Sequence, residues 1–368
     1  NVDIAVDVAA MATAGGTLIY GIGEDSNKRP ELHPIELAGA RERVASIVQA
    51  SLAEAPALDI RELRLESDPS QGYLVVHVPP SPLAPHMVQV KGHYRYYGRN
   101  EAGNYVLPHD QVVALIERRR RLENGWENAL EEAIREAPDL SELDDFVPLD
   151  LVFIPLLGDE AVLDRAWPAG VRTELFQAVT EATNALRFAH PGDMTLTSVI
   201  GHGPVRRVDG WLIYSGFEGP TPSTAYAMQL EVHDSGRMRL FCAGVARTYS
   251  TSAHPAPIQT AREYGIARLV AQAAFMAGHL YRRGGYSSYV DGAVSIRNAG
   301  KVVSARAHEG LAGPSGWPYA PSDYRRGGRW PAASLEDDPR GVALQLVGPW
   351  LRALMQTDPA ALLTFPGE

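Results

Sequence analysis

The chain has 368 residues, 45% of them hydrophobic and 21% charged, the composition of a soluble globular protein with room for two cores. Its net charge of −10 argues against an extended coat of nonspecific DNA binding, while a local basic site stays compatible with it because focused charge outweighs the sum. No apolar run reaches the ~18–20 residues of a spanning helix, and the single cysteine, Cys242, excludes an intrachain disulfide and fits a reducing cytoplasm.

In chain order, residues 2–13 form a helix with Ile4, Val8 and Met11 on one face. Asn1 opens directly into that pattern, which leads us to expect further residues upstream. Gly15-Gly16 stops the helix. A short strand over 17–20 follows, then a turn over 21–25 and a loop with Lys28, Arg29 and Pro30. Leu37, Ala40, Val44, Ile47 and Val48 mark a second amphipathic helix ending near Pro56. Strands over 60–65 and 73–78 are separated by a turn at 68–72. Pro79-Pro80-Ser81-Pro82 then makes a stiff exit. Residues 87–90 and 94–97 pair as a hairpin over Lys91-Gly92-His93. A helix from about Pro108 ends in Arg118-Arg119-Arg120-Arg121.

The first domain, over 1–121, thus reads α-β-α-β-β-β-β-α, an α/β (α+β) fold with a mixed sheet and flanking helices. A charged helix over 122–136 and an acidic segment over 138–145 make 122–146 the connection. A second α+β domain spans 147–368. Its expected elements are strands over 149–156, 211–217, 225–233 and 238–246, and helices over 173–188, 261–282 and 342–355. A hairpin pairs 289–296 with 302–307 across Asn298-Ala299-Gly300. The Gly-, Pro- and Arg-rich segment over 310–338 reads as a surface loop.

Several familiar sites are missing. There is no phosphate-binding Gly-x-x-x-x-Gly-Lys-Ser/Thr run, no His-Glu-x-x-His or paired-cysteine zinc pattern, and no Gly-x-Ser-x-Gly elbow. Gly21-Ile22-Gly23 follows a strand, yet the helix that a dinucleotide loop must open into is replaced by a loop. Cys242 lies in an apolar strand and reads as a small buried hydrophobe.

The informative stretch is Val8-Ala9-Ala10-Met11-Ala12-Thr13-Ala14-Gly15-Gly16-Thr17-Leu18-Ile19-Tyr20-Gly21-Ile22-Gly23-Glu24-Asp25. Further on, in order, come Gly72-Tyr73-Leu74-Val75-Val76-His77-Val78-Pro79, Pro85-His86-Met87-Val88 and Tyr96-Tyr97-Gly98-Arg99. Over about residues 1–121 this order resembles the Schlafen AlbA-like domain, also described as a divergent AAA or ATP-binding domain. The resemblance does not extend to the second domain. It implies nucleic-acid binding, and for the Schlafen nucleases a metal-dependent endoribonuclease acting on structured RNA such as tRNA, with a stress or antiphage role by analogy. Those nucleases use three acids. Two lie on an upstream segment with Glu-Phe-Lys, which would precede Asn1. The third matches Glu24, which is Glu where they have Asp.

Glu24 and Asp25, two carboxylates at a strand end, are the candidate catalytic and metal residues, because such a pair can hold Mg or Mn through oxygen and a bound cation polarises a phosphodiester and activates water. The competing reading is a solvated turn. Lys91, His93, Arg95, Tyr97 and Arg99 are the candidate nucleic-acid face. Residues 91, 93, 95 and 97 alternate onto one side of a regular strand, where cations pair phosphate oxygens and tyrosine stacks a base. Alternatively Tyr96 or Tyr97 belongs to the core and the cations form a solvated edge. The arginines at 118–121 also complement the helix dipole. His86 is read as a structural hydrogen-bonder before a phosphate ligand. In the second domain, Gly201-His202-Gly203, Arg206-Arg207 and Arg325-Arg326 with Arg329 stand out. Trp317, Tyr319, Tyr324 and Trp330 either anchor a recognition loop or pin that loop to its own domain. The partner expected is nucleic acid, RNA before DNA, and no membrane. A homo-oligomer is compatible with the chain and not specified by it. The alternative is a non-catalytic DNA-binding regulatory protein whose second domain senses a ligand.

Overall fold

The computed structural model describes residues 2–27, 29–90, 92–123, 125–140, 146–156, 162–163, 166–167, 170–186, 194–249, 258–304, 321–355 and 358–364. The chain divides into two units, Asn1–Asn124 and Gly125–Glu368, and its fold is α+β. No described helix is long and apolar enough to cross a membrane.

In the first unit, α1 (Val2–Met11) turns Ala5, Val8, Ala9 and Met11 into the core. Gly15 and Gly16 follow. Gly15 has φ 90°, and a Cβ there would lie 3.0 Å from the Pro80 ring; a Cβ on Gly16 would lie 2.7 Å from Met11. The pair therefore lets the helix end and the next strand approach without side chains between them. Then come β1 (Gly16–Tyr20), β2 (Ile22–Glu24), β3 (Pro30–Leu32), β4 (Ile35–Glu36), α2 (Ala40–Ser51), β5 (Asp59–Arg64) and β6 (Gln71–Val78). β6 is the centre of the sheet. It pairs with β1 on one side, with β5 on the other, and with β4 at its start. Leu74, Val76 and Val78 alternate inward from it onto Val44 and Val48 of α2. All three pairings are antiparallel, which corrects the mixed sheet expected from the sequence. The physical reason lies in the path through α2. It carries the chain from β4 to β5, two strands that both run opposite to β6 and do not pair with each other. A second sheet follows, β7 (Met87–Val90), β8 (His93–Asn100) and β9 (Gly103–Val106), then α3 (His109–Glu123).

The second unit opens with α4 (Gly125–Arg135), where one continuous connecting helix was expected. Leu130 and Ala133 of α4, with Trp126, pack on Val152 and Ala293 of the unit's sheet. The helix belongs to the second core and is no part of a linker; residues 141–145 of the expected linker lie outside the described residues. Next are β10 (Leu149–Pro155), α5 (Val171–Ala185), β11 (His202–Arg206), β12 (Gly210–Ser215), β13 (Phe217–Glu218), β14 (Thr221–Pro222), β15 (Met228–His233), β16 (Met238–Cys242), β17 (Ala246–Tyr249), β18 (Ile258–Ala261) and α6 (Glu263–Gly284). The unit closes with β19 (Tyr289–Ile296), β20 (Val302–Ser304), β21 (Tyr324–Pro331), α7 (Ala332–Asp337) and α8 (Pro339–Met355).

Seven strands form one antiparallel sheet in the order β11-β12-β15-β16-β10-β19-β21. Leu149, Leu151 and Phe153 of β10 point to the face that carries the main core, shared with α5, α6, α7 and α8. Asp150 and Val152 point to the opposite face, where α4 lies. β21 and α7 correct the later part of the loop expected over 310–338, whose residues 310–320 lie outside the described residues. β21 pairs with β19 along its whole length, with Tyr324 and Trp330 buried. Tyr324 donates to the Leu346 carbonyl and Trp330 to Gln345. These two aromatics therefore anchor the chain to its own domain; Trp317 and Tyr319 lie outside the described residues.

Candidate nucleic-acid interface

The hairpin of β7 and β8 forms where the hydrophobic alternation predicts it, turning at Gly92, whose φ is 83°. Its faces are set by packing. Val88 stands opposite Arg95 in the register and is buried in the first core, and Tyr97 packs against the same core. The odd-numbered face of β8 is thus partly covered by the first core, at Tyr97, and is not open to solvent along its length. Tyr97 is half-buried there, which removes it from the stacking role expected of it. Arg99 lies 3.4 Å from Asp7 of α1 and donates to Asn104 at 2.9 Å, while Asn104 donates to Asp7 at 2.6 Å. Arg99 is therefore a brace between the helix and the sheet, and the row of phosphate ligands expected from alternation is broken. Arg95, nearer the turn, is exposed and has no hydrogen-bond or ion-pair partner among the described residues. Beside it Tyr94 is 67% exposed and points to the opposite face. Lys91 and the side chain of His93 lie outside the described residues.

Glu24 ends β2 opposite Pro30 of β3, in a hairpin that the sequence reading treated as turn and loop. Asp25 caps that hairpin itself. Its Oδ1 accepts the backbone N–H groups of Asn27 and Arg29, each at 2.8 Å. Among the described residues no group of three His, Cys, Asp or Glu side chains converges to hold a metal ion. Glu24 and Asp25 do not by themselves supply the oxygen set that Mg or Mn requires.

The other singled-out residues are held structurally. His86 is buried, and its Nδ1 donates to the Glu54 carbonyl at 2.5 Å. Burial holds its pKa below the usual histidine value. Arg118 donates to the Ser81 carbonyl and Arg119 to Glu54 at 3.0 Å, whereas Arg120 and Arg121 are exposed. In the second unit Arg206 binds Asp234 through both its terminal nitrogens and lies over the Trp211 ring; Arg329 binds Asp291 at 2.7 Å. The Cys242 thiol is buried and pushed up to about 11 by that burial, the state of an inert core sulfur.

Sequence reasoning missed two features. One is Tyr94, because alternation assigns partners within a strand and cannot say which face is covered. The other is a cleft of about 570 Å³ between the end of α1, the β8–β9 hairpin and α3, lined by Thr13, Gly15, Gly98, Tyr105 and Gln111 among others. It depends on β9, a strand too short and too polar to stand out in the sequence. Comparison of the chain with protein-family models, with curated proteins and with solved structures finds no match in any of the three.

Proposed function

We propose that the first unit binds nucleic acid, RNA in preference to DNA, through the tip of the β7–β8 hairpin. The observation that carries this reading is Arg95, an exposed cation with no partner among the described residues, flanked in sequence by Tyr94, whose ring is exposed on the other face of the hairpin. A guanidinium forms charge-assisted hydrogen bonds to phosphate, and an exposed tyrosine stacks an unpaired base regardless of its identity. The resemblance of about residues 1–121 to the Schlafen AlbA-like domain supports the same partner and favours RNA. The reading stops at binding. With Asp25 committed to its own hairpin, no cleavage step is assigned to Glu24 or Asp25.

The test titrates the full chain with tRNA, single-stranded DNA and duplex DNA at low salt, beside Arg95→Ala and Tyr94→Ala. Tight binding of tRNA, weakened in both variants and by added salt, supports the proposal. Absence of affinity for every nucleic acid at low ionic strength overturns it. Preference for duplex DNA favours the regulatory alternative. Parallel assays with Mg²⁺, with Mn²⁺ and with a chelator read cleavage separately from binding.

A further inference from the structure

We infer that the cleft between α1, the β8–β9 hairpin and α3 receives one unpaired base of the RNA bound at the hairpin tip, uracil or guanine before adenine. The inference rests on the proposed function and adds to it the place where a base, as distinct from the phosphate backbone, is held.

The first observation is shape. The cleft has a volume of about 570 Å³, within the range of small-molecule sites and ample for a nucleoside. Its apolar lining is Ala10, Met11, Ala14, Leu107, Ala114 and Leu115. Gly98 shapes one wall. A Cβ there would stand 2.8 Å from Leu107 and 3.0 Å from Tyr105, so both side chains lie against bare backbone of β8. Every base has two flat faces that such walls shield from water.

The second observation is the neutral hydrogen-bonding lining. Gln111 accepts the Tyr105 O–H through Oε1 at 3.0 Å, which leaves its amide N–H groups to donate. Asn100 accepts the Ala102 N–H through Oδ1 at 2.9 Å, and its amide N–H groups are left in the same way. Thr13 also lines the cleft, and its Oγ1 is buried with no hydrogen-bond partner among the described residues. A buried hydroxyl in that state costs free energy until a polar group reaches it. Amide donors suit the ring oxygens of uracil and guanine, whereas adenine presents an N–H donor where those bases carry oxygen. The two charged residues of the lining do not make a phosphate site. Arg99 is held by Asp7 and Asn104, and Glu101 is an exposed carboxylate that repels phosphate.

The third observation is position. Arg95 and the Gly98, Arg99 and Asn100 part of the lining stand on one strand, β8. At ~3.3 Å per residue the cleft lies about 10–17 Å from Arg95, a few nucleotides along a single strand. An RNA whose phosphate pairs with Arg95 therefore passes the cleft with a base in reach.

The experiment uses the full chain at low salt and a stem-loop RNA carrying 4-thiouridine at one loop position at a time. Cross-linked peptides are mapped, and affinities are measured for the same loop with uracil, adenine or an abasic site at the reactive position. One loop position is expected to cross-link to peptides containing Thr13, Asn100 or Gln111. The abasic strand is expected to bind about fivefold more weakly than the uracil strand. Ala114→Trp, which puts an indole into the cleft from an exposed helix position, is expected to abolish both the cross-link and the abasic penalty. The salt dependence set by Arg95 is expected to persist in that variant. Gln111→Ala leaves the cleft open and is expected to erase the preference for uracil over adenine. Arg95-dependent RNA binding with cross-links only outside the cleft, or with an abasic penalty unchanged in Ala114→Trp, overturns the inference and leaves the hairpin reading standing. Equal affinity for the uracil and adenine strands overturns the base preference. Absence of affinity for the RNA at low ionic strength overturns both the inference and the hairpin reading.

Discussion

Arg239 and Asp150 form an ion pair sealed inside the second unit, 3.4 Å apart, with side chains 2% and 0% exposed. They stand on neighbouring strands, β16 and β10, on the face of the sheet that α4 covers. Arg297 adds a second contact to Asp150 at 3.2 Å, and Arg239 also reaches Glu231 at 3.5 Å and the Glu136 carbonyl at 3.3 Å. Removal of one partner strands a buried charge, which typically costs about 3–5 kcal/mol, whereas removal of both can be nearly neutral. Because Arg297 still faces Asp150, Arg239→Met is expected to lower unfolding stability toward the lower end of that range, and Arg239→Met with Asp150→Asn to recover part of it. Urea unfolding followed by tryptophan fluorescence reads this cleanly, because all six tryptophans lie beyond residue 125.

Two arginines on one strand separate stability from binding. Arg99 is half-exposed and held by Asp7; Arg95 has no partner among the described residues. Arg99→Ala is expected to cost no more than about 1 kcal/mol of stability, as exposed pairs do, and to leave RNA affinity within about twofold. Arg95→Ala is expected to leave stability unchanged, weaken RNA binding, and reduce the slope of log affinity against log salt by about 1. Filter binding across a salt series distinguishes them. Equal effects of the two variants would move the interface away from the hairpin tip.

Acid should loosen the first unit through His86. Burial lowers its pKa in the folded state, so the folded protein holds it neutral while the unfolded chain protonates at the ordinary value of 6.5. The stability it confers is present above that value and is lost as pH falls through it toward the lower folded pKa. Glu54 works in a separate window. Its hydrogen bond from Arg119 holds its pKa below the usual carboxylate range, so its contribution is lost only in stronger acid. The protection factors of β6 peptides, with exchange corrected for its intrinsic pH dependence, are expected to fall in the wild type from pH 7.5 down to about 5 and to lose most of that pH dependence in His86→Gln.

Much of the fold is legible in the residues. The apolar spacing of Ile266, Leu269, Val270, Ala273, Ala277 and Leu280 marks α6, and all six are buried. The turn Asp234-Ser235-Gly236-Arg237 marks the hairpin of β15 and β16. What stayed hidden depends on partners far away in sequence. β21 reads Tyr-Arg-Arg-Gly-Gly-Arg-Trp-Pro, a composition of loops, and is a strand by pairing with β19 along its whole length, where Asp291 receives Arg329. The period of two in β8 was visible, but whether Arg95, Tyr97 and Arg99 face water is decided by where α1 docks. Arg262 and Tyr226, thirty-six positions apart, had no local signal at all.

The docking of α4 supplies the sharpest test of the domain boundary. Gly327 of β21 lies directly beneath Trp126, so close that a Cβ would stand 2.2 Å from the indole ring. If α4 were a connecting helix free of the sheet, Gly327→Ala would meet open space and gain slightly, since alanine restricts the unfolded chain more than glycine does. With Trp126 seated there, the added methyl must push the ring outward and loosen Leu130 and Ala133 behind it. Overpacking of this kind costs about 1–3 kcal/mol. The expected result is a destabilised second unit with altered tryptophan emission and faster proteolysis near residue 125. Trp126→Ala in the same background should relieve the clash, so that the Gly327→Ala penalty shrinks in the double variant. A stabilising effect of Gly327→Ala alone would return α4 to the connection and dissolve the third layer of this unit.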